Sequence, residues 1–260
     1  MSVPVRDAST VVLVRDGEHG LEVFLQRRVK AMAFAAGMTV YPGGGVDASD
    51  RTAPTGDDPW VGPAPSWWAA QFGTDEPTAR ALVLAAVRET FEECGILLAG
   101  PDEHAVVADT AEYADGRRAV ERREIAFSEF LADTGLSVRA DLLRPAARWI
   151  TPEGETTRRY DTRFFLAAVP AGQRADDATS EAVDAGWFRP VDAVADLRTR
   201  ARTMMPPTWS TLADLAEHAT VADAFAAPYR LEPVQPVLVR DGENRRVEFP
   251  GAERYYAAFG

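Results

Sequence analysis

The sequence contains very little cysteine and histidine. Its 260 residues include one cysteine, Cys94, and three histidines, His19, His104 and His218. A single cysteine excludes an intramolecular disulfide and a multi-cysteine zinc site, and the histidines lack the H-E-x-x-H spacing of zinc proteases. Neither a G-x-S-x-G motif nor a Walker A motif is present, which argues against serine-hydrolase and P-loop chemistry. We expect a reducing, cytoplasmic location.

Basic charge and long apolar runs are also scarce. The 28 Lys and Arg residues are outnumbered by 40 Asp and Glu, giving a formal net charge of -12. This balance argues against a nucleic acid duplex as partner, because phosphate backbones are bound by clustered Lys and Arg. The longest apolar run, 81–87, is too short to cross a bilayer, so we expect no membrane partner. The charge balance does not exclude a small anionic substrate, since bound divalent cations supply local positive charge.

Strand and helix patterns alternate along the chain without an internal repeat. With 46% hydrophobic residues, the chain has enough apolar side chains for a substantial core. The alternation predicts an α/β or α+β layered fold in one domain, 1–260, because no long linker interrupts it. Residues 102–135 are polar and helix-prone, and 117–123 is expected to be a solvated charged stretch. Strands are predicted at 10–15, 21–28, 38–41, 142–151 and 160–169, and a further strand is predicted to end at 188. Helices are predicted at 77–94, 191–202 and 208–226, and a hairpin is predicted from 233–240 and 246–249.

Residues 50–73 interrupt this alternation. The segment is rich in Pro, Gly and Asp, which favours irregular structure, yet it carries Trp60, Trp67 and Trp68. We predict a partly ordered flap that packs on the domain. Its tryptophans are expected to fix the flap or a subunit contact, and stacking on a substrate base is the alternative.

The helix predicted at 77–94 ends in a cluster of acidic residues. At about 100° per residue, Glu89, Glu92 and Glu93 fall within one arc of roughly 100°. Like charges repel at this spacing, and a helix C-terminus favours cations, so the cluster opposes local stability. Two interpretations follow: a solvated acidic patch, or oxygen ligands for a hard cation such as Mg²⁺. The glycine run 43–45 is likewise either a tight turn or a place of close approach.

These segments resemble the two halves of the Nudix box. Arg88-Glu89-Thr90-Phe91-Glu92-Glu93-Cys94-Gly95 matches R-E-x-x-E-E-x-G, and Tyr41-Pro42-Gly43-Gly44 is similar to the beginning of the box. The resemblance to Nudix hydrolases implies a mixed sheet sandwiched between helices, here with a helical C-terminal extension at about 191–260 packed on the core. It also implies Mg²⁺- or Mn²⁺-dependent hydrolysis of a diphosphate linkage in a nucleoside-diphosphate-linked small molecule.

The box departs from the usual pattern in two ways. Asp50 stands where the box normally has Glu, and an insertion at about 51–76 interrupts it. The interrupted form resembles the coenzyme A diphosphatase-like branch. Further similarities to that branch are found in residues 149–152, 158–162, 206–208 and 250–251. CoA or acyl-CoA is therefore the expected substrate. Nucleotide sugars, NAD(H) and dinucleoside polyphosphates are alternatives, and a non-catalytic nucleotide-binding sensor module is an alternative of another class.

The resemblance also implies roles for individual residues. Glu89, Glu92 and Glu93 would ligate the metal, with the Gly43 carbonyl as a further ligand. Arg88 would orient a box glutamate, and Glu89 would act as general base or as a ligand only. Glu181 is the candidate for a catalytic acid from a later loop, and an ordinary exposed glutamate is the other interpretation of it. Arg27 and Arg159 would contact substrate phosphates or simply lie on the surface, and the C-terminal extension would shape the pocket or a homodimer contact.

Overall fold

A seven-stranded mixed sheet runs through the protein in the computed structural model, which describes residues 3–28, 37–52, 59–154, 158–176, 182–241 and 244–258. The strands are β1 (Val5–Gly17), β2 (Gly20–Arg28), β3 (Thr39–Val40), β4 (Gly43–Gly45), β5 (Trp60–Val61), β6 (Ala99–Gly100), β7 (Ser137–Arg139), β8 (Leu143–Ile150), β9 (Arg159–Ala168), β10 (Ala182–Phe188), β11 (Val237–Asp241) and β12 (Asn244–Glu248). The helices are α1 (Ala48–Arg51), α2 (Pro65–Phe72), α3 (Glu76–Cys94), α4 (Ala114–Glu121), α5 (Phe127–Thr134), α6 (Pro190–Thr199), α7 (Pro206–Leu215), α8 (Val221–Ala226) and α9 (Ala252–Ala257).

The main sheet has the order β10-β2-β1-β9-β8, with β3 paired to β2 and β4 paired to β1. Strands β1 and β9 run parallel, and the other pairs in this sheet are antiparallel. The run Val11–Val14 in β1 is buried without alternation because helices cover both faces of the sheet. A small second sheet, β5-β7-β6, joins the insertion to the segment after α5.

Helix α3 is defined by strong end signals. The Asp75 side chain accepts a hydrogen bond from the Thr78 amide at 2.7 Å, and Pro77 occupies the first turn. Gly95 adopts the left-handed conformation with φ 72°, and its amide donates to the Phe91 carbonyl at 3.0 Å. The helix therefore ends at Cys94, as the sequence predicts, which places the acidic residues in its last two turns.

Alternate side chains of each strand enter different cores. Val11, Leu13 and Phe24 join the core built by α2, α3, α4 and α5. Val12 and Leu25 join the opposite core, which includes C-terminal residues: Leu197 of α6, Leu212 of α7 and Tyr255 of α9. Helices on both faces of a mixed sheet confirm the predicted sandwich with its helical C-terminal extension.

Three local predictions need correction. The insertion contains helix α2, because Pro65 lies in its first turn, where proline is tolerated, and Trp68 is fully buried against Phe165. The helix predicted at 208–226 is two helices, α7 and α8. Arg117 is not solvated: its side chain is 11% exposed and pairs with Asp176.

In the part of the chain that the structure describes, no helix is both long and apolar enough to cross a bilayer.

Candidate active site

The glycine run lies directly beside the end of α3. Residues 43–45 form strand β4, paired with residues 8–10 of β1. A Cβ on Gly44 would lie 2.5 Å from an oxygen of the Glu89 carboxylate, and one on Gly43 would lie 2.5 Å from the Ser9 carbonyl oxygen. The close-approach interpretation of the glycines is therefore correct, and a side chain here would displace the Glu89 carboxylate.

Arg88 joins the two halves of the box. Its side chain is 4% exposed, and each of its five N–H groups has an acceptor. Nε and Nη2 donate to the two oxygens of Asp50 at 3.0 and 2.9 Å, and Nη2 also donates to the Gly45 carbonyl at 3.0 Å. Nη1 donates to Glu89 Oε1 at 2.8 Å and to Glu92 Oε1 at 3.0 Å. The buried guanidinium thus holds two glutamates in fixed orientations.

Asp50 binds Arg88 at the position where the Nudix box usually has a glutamate. Besides receiving Arg88, its Oδ2 accepts the Asp47 amide at 2.8 Å and so caps helix α1. The shorter side chain therefore reaches both partners, and the substitution preserves the arginine-binding arrangement.

Glu93 is held from the sheet rather than by Arg88. The Gly43 amide donates to Glu93 Oε2 at 3.0 Å, and Gln26 Nε2 donates to the same oxygen. Gln26 lies on β2 with 3% of its surface exposed, and no described residue donates a hydrogen bond to its buried Oε1 atom. Gln26 was not among the site residues predicted from the sequence. The available signal was a lone amide at the end of an otherwise buried apolar strand, whose reason is a partner 67 positions away.

The carboxylates at the end of α3 carry an excess of negative charge. Burial raises the pKa of Glu89 to about 7, against the opposing effect of Arg88, and the neighbouring Glu92 charge raises it further. Burial likewise raises the pKa of Glu92. A bound cation would relieve both effects, and carboxylate oxygens are the ligands that hard divalent cations prefer. The donor set therefore fits such an ion.

The ligands are not yet gathered around one point. Across the described ranges, no group of three or more His, Cys, Asp or Glu side chains is arranged to hold a metal ion. Glu89 and Glu92 turn one oxygen each to Arg88, whereas Glu93 turns one to Gln26 and Gly43. The structure thus brings the three glutamates to one helix end, where Glu89 and Glu92 share Arg88 as a partner and Glu93 has partners on the sheet side.

Two of the other predicted site residues lie apart from this cluster. Arg27 alternates with Gln26 on β2, so it lies on the side of the sheet that the C-terminal helices cover rather than the side of α3, and it is exposed there. Arg159 is buried and donates to the Thr151 carbonyl at 3.2 and 3.3 Å, at the start of β9. Glu181 falls outside the described residues.

A second arginine closes the end of α3. Arg117 Nε donates to the Glu92 carbonyl at 3.1 Å, and its two Nη atoms bind Asp176 at 2.8 and 3.0 Å. The Asp176 amide in turn donates to the Cys94 carbonyl at 3.0 Å. A cation at these carbonyls offsets the negative end of the helix dipole. The segment before 177 is thereby fixed against the end of the acidic helix.

Comparisons with known proteins all find similarity to Nudix proteins. The family description "NUDT19 Nudix domain" matches residues 57–215. Acyl-coenzyme A diphosphatase NUDT19 of Xenopus laevis is 25% identical over 275 residues, covering 90% of this chain and 71% of that protein. The Homo sapiens protein of the same name is 26% identical, with coverages of 91% and 72%. The crystal structure of a Nudix hydrolase from Alicyclobacillus acidocaldarius superposes with a TM-score of 0.71 at 26% identity, covering 87% of this chain and 98% of that one.

Proposed function

The chain belongs to the NUDT19 Nudix domain family and is a Nudix pyrophosphohydrolase, and from this premise we propose that it hydrolyses the diphosphate linkage of CoA or an acyl-CoA. The observation that carries the proposal is the buried Arg88, which fixes Glu89 and Glu92 at the end of α3. The names of the curated relatives support the substrate class.

The proposed cofactor is Mg²⁺ or Mn²⁺. Glu89, Glu92 and Glu93 would hold it, with the Gly43 carbonyl as a further ligand. The hard oxygen donors and the raised pKa of Glu89 and Glu92 support this choice. When bound, the ion supplies positive charge that the two phosphates of the substrate need and increases the acidity of water.

The residues of the chain then have separate tasks. Arg88 fixes the direction of Glu89 and Glu92, and Gln26 and the Gly43 amide fix Glu93. Glu89, whose carboxylate Arg88 holds at 2.8 Å, is assigned as the general base that takes the proton of the attacking water.

The bonds change as follows. The water oxygen bonds to phosphorus, and the bond from that phosphorus to the bridging oxygen breaks. With CoA the products are adenosine 3′,5′-bisphosphate and 4′-phosphopantetheine. Glu181 as a second catalytic acid, and Arg27 and Arg159 as phosphate contacts, stay proposals for site-directed variants.

We also propose one domain over 1–260, a cytoplasmic location and a homodimer. Shared burial of C-terminal residues such as Leu212 with the sheet supports the single domain. The free, buried Cys94 is consistent with a reducing compartment.

Trp67, with 42% of its surface exposed beside the buried Trp68, supports a subunit contact. Size-exclusion chromatography with light scattering of wild type and Trp67→Ala tests the dimer, which a monomeric wild type would exclude.

The substrate experiment uses the purified 260-residue protein with Mg²⁺ or Mn²⁺. CoA, acyl-CoA, ADP-ribose, NADH, nucleotide sugars and diadenosine polyphosphates are offered separately, and phosphorus-containing products are separated by chromatography. We expect cleavage of CoA or acyl-CoA that stops with EDTA. The variant Glu92→Gln/Glu93→Gln should lose about 1,000-fold in kcat/KM, because the charge that the ion provides is worth several kcal/mol. Arg198→Ala, a change on the exposed surface of α6, is the matched control.

Each other outcome points elsewhere. Preferential cleavage of NADH, a nucleotide sugar or a dinucleoside polyphosphate would replace CoA with that class. Binding without cleavage by folded, metal-loaded protein would favour the sensor module. A glutamate variant as active as wild type would remove the metal assignment.

A further inference from the structure

A cleft opens on the α3 face of the sheet, beyond the end of the acidic helix. It has a volume of about 400 Å³ and is lined by Arg15, Val169, Gln173, Arg174, Ala175 and Trp187. This volume lies within the range of about 300–1,000 Å³ that small-molecule sites occupy. The cleft is separate from the three glutamates, and no task in the proposed reaction uses its side chains.

The walls of the cleft combine an aromatic ring with cationic side chains. The Arg15 guanidinium lies over the Trp187 ring at 4.3 Å from the centroid, and Phe24 supports the indole edge-on at 5.3 Å. Arg15 is also paired with Glu22 at 2.7 Å. An indole and a planar guanidinium together favour a flat, electron-rich group such as a purine base.

Arg174 is the second cationic side chain in the lining of the cleft. It is exposed, and within the described residues neither a hydrogen bond nor an ion pair to its guanidinium is present. The nearby carboxylate of Asp176 is bound by both Nη atoms of Arg117. Because the whole chain carries a net charge of -12, an arginine without a partner among the described residues, beside an aromatic wall, marks a place for an anion.

The cleft is fixed to the end of the acidic helix. The Gln173 side chain accepts the Leu97 amide at 2.8 Å and donates to the Leu97 and Val107 carbonyls at 2.9 and 2.6 Å. The Asp176 amide binds the Cys94 carbonyl. Residues 173–176 are thus anchored on both sides, so the cleft keeps its position relative to α3.

The cleft and the glutamates also share one strand. Trp187 stands opposite Phe24 in the β10–β2 pair, and Gln26, the partner of Glu93, follows two positions later on the same face of β2. Two positions along a strand span about 7 Å. The cleft and the glutamates therefore lie on the same face of the sheet, a few residues apart along β2.

We propose that this cleft binds the nucleotide end of the substrate, a purine base carrying a ribose phosphate. The base packs on the wall formed by Trp187 and Arg15, and Arg174 binds the ribose phosphate. The proposal rests on the proposed function, since it gives a position to the adenosine 3′-phosphate of CoA. The pantetheine end has no negative charge to match Arg174, so it extends away from the cleft.

Paired substrates give the sharpest test. CoA and dephospho-CoA share the diphosphate and the base, and they differ in the ribose 3′-phosphate. We expect Arg174→Ala to raise KM for CoA about tenfold through the loss of one charge-assisted contact, with kcat nearly unchanged. KM for dephospho-CoA should stay within twofold of wild type. Arg198→Ala serves as the exposed-arginine control and should change neither value.

A binding measurement separates this proposal from the reaction. Titration calorimetry of metal-free protein with adenosine 3′,5′-bisphosphate, adenosine 5′-monophosphate and inorganic phosphate needs no catalysis. We expect the bisphosphate to bind most tightly, and Arg174→Ala to weaken it about tenfold with little effect on the monophosphate. Trp187→Phe, which keeps an aromatic ring, should weaken both nucleotides modestly.

The outcomes are distinguishable. If CoA is not cleaved but Arg174→Ala selectively weakens bisphosphate binding, the cleft assignment stands and the reaction assignment fails. If CoA is cleaved but Arg174→Ala changes neither KM nor bisphosphate affinity, the cleft assignment is overturned. Equal changes for CoA and dephospho-CoA would also overturn the role of Arg174 in binding the 3′-phosphate.

Discussion

The two faces of the central sheet bury different kinds of side chain. Under α3, the interior contains charged and amide groups that are paired with other polar groups: Gln26, Asp50, Arg88, Glu89, Glu93, Arg163 and Gln173. Under the C-terminal helices, the interior is aliphatic and aromatic, and its buried polar side chains include the hydroxyls of Thr208 and Thr211. Burial of charge is costly unless it is paired, whereas apolar burial stabilises directly. The face under α3 therefore carries the charged groups of the site beside its own apolar core, and the other face contributes stability through apolar packing.

The largest expected effect comes from removing the charge that unites the first face. Arg88→Met leaves Asp50 and Glu89 buried without their partner, so we expect a loss of about 4 kcal/mol in the free energy of unfolding, together with loss of hydrolysis. Urea titration followed by circular dichroism measures the first, and the substrate assay measures the second.

Arg163→Met is the matched control. Arg163 is also buried and pairs with Asp7 and Asp161, whose oxygens lie 3.1 and 3.0 Å from its Nη1. It should destabilise comparably without a specific effect on kcat. Equal loss of kcat in folded samples of both variants would show that Arg88 has no special role at the site.

A cavity on the second face should separate stability from activity. Leu212 is fully buried in α7, and Leu212→Ala should cost about 3 kcal/mol through lost packing and a residual cavity. At a temperature where the variant is folded, kcat should stay within twofold of wild type. A large fall in kcat at full folding would contradict the division between the two faces.

Gln26→Leu should act mainly on the metal. Losing the amide that holds Glu93 is expected to weaken Mn²⁺ binding about 10- to 100-fold, as for other partners of metal ligands. Electron paramagnetic resonance of free Mn²⁺ measures this without turnover. Gln26→Glu is the comparison variant, since it keeps the size of the side chain but repels Glu93. Unchanged Mn²⁺ affinity in both variants would mean that Gln26 only fills space.

The smallest expected effect is a pH dependence of the metal-free protein. Burial raises the pKa of Glu89 from 4.5 to about 7, so the folded state binds the proton more tightly than the unfolded state. Stability contributed by this group is then greatest at low pH and declines as pH rises through this window. In EDTA we expect Tm to fall by a few degrees from about pH 5 to about pH 7.5. Glu89→Gln should remove most of this slope, and an equal slope in the variant would assign it to other groups.

Local signals explain why α3 was predictable. Asp75, Pro77 and Gly95 specify its ends through interactions within a few residues, and the box letters define the acidic face. The glycine run was recognisable too, although only the structure shows that the neighbour of Gly44 is the Glu89 carboxylate.

What the sequence did not predict depends on distant partners. The position of Gln26 is explained by Glu93, and that of Arg117 by Asp176, 59 positions later. Helix α2 was overlooked because the prolines of residues 50–73 were interpreted as irregular structure, whereas Trp68 is stabilised by packing on Phe165 from β9. Arg27 was chosen over other residues by the resemblance alone, and strand alternation turns it away from α3.

The parallel pairing of β1 with β9 also governs how the chain must fold. Val5 pairs with Arg159 and Val14 with Ala168. The middle strand of the sheet, β1, therefore forms its pairing with β9 only after the second half of the chain is available. During synthesis, one long edge of β1 is complete but uncovered until β9 emerges. Such non-local pairing slows folding and leaves an edge that other chains can join. A nascent chain stopped before residue 159 is therefore the species that most needs a chaperone.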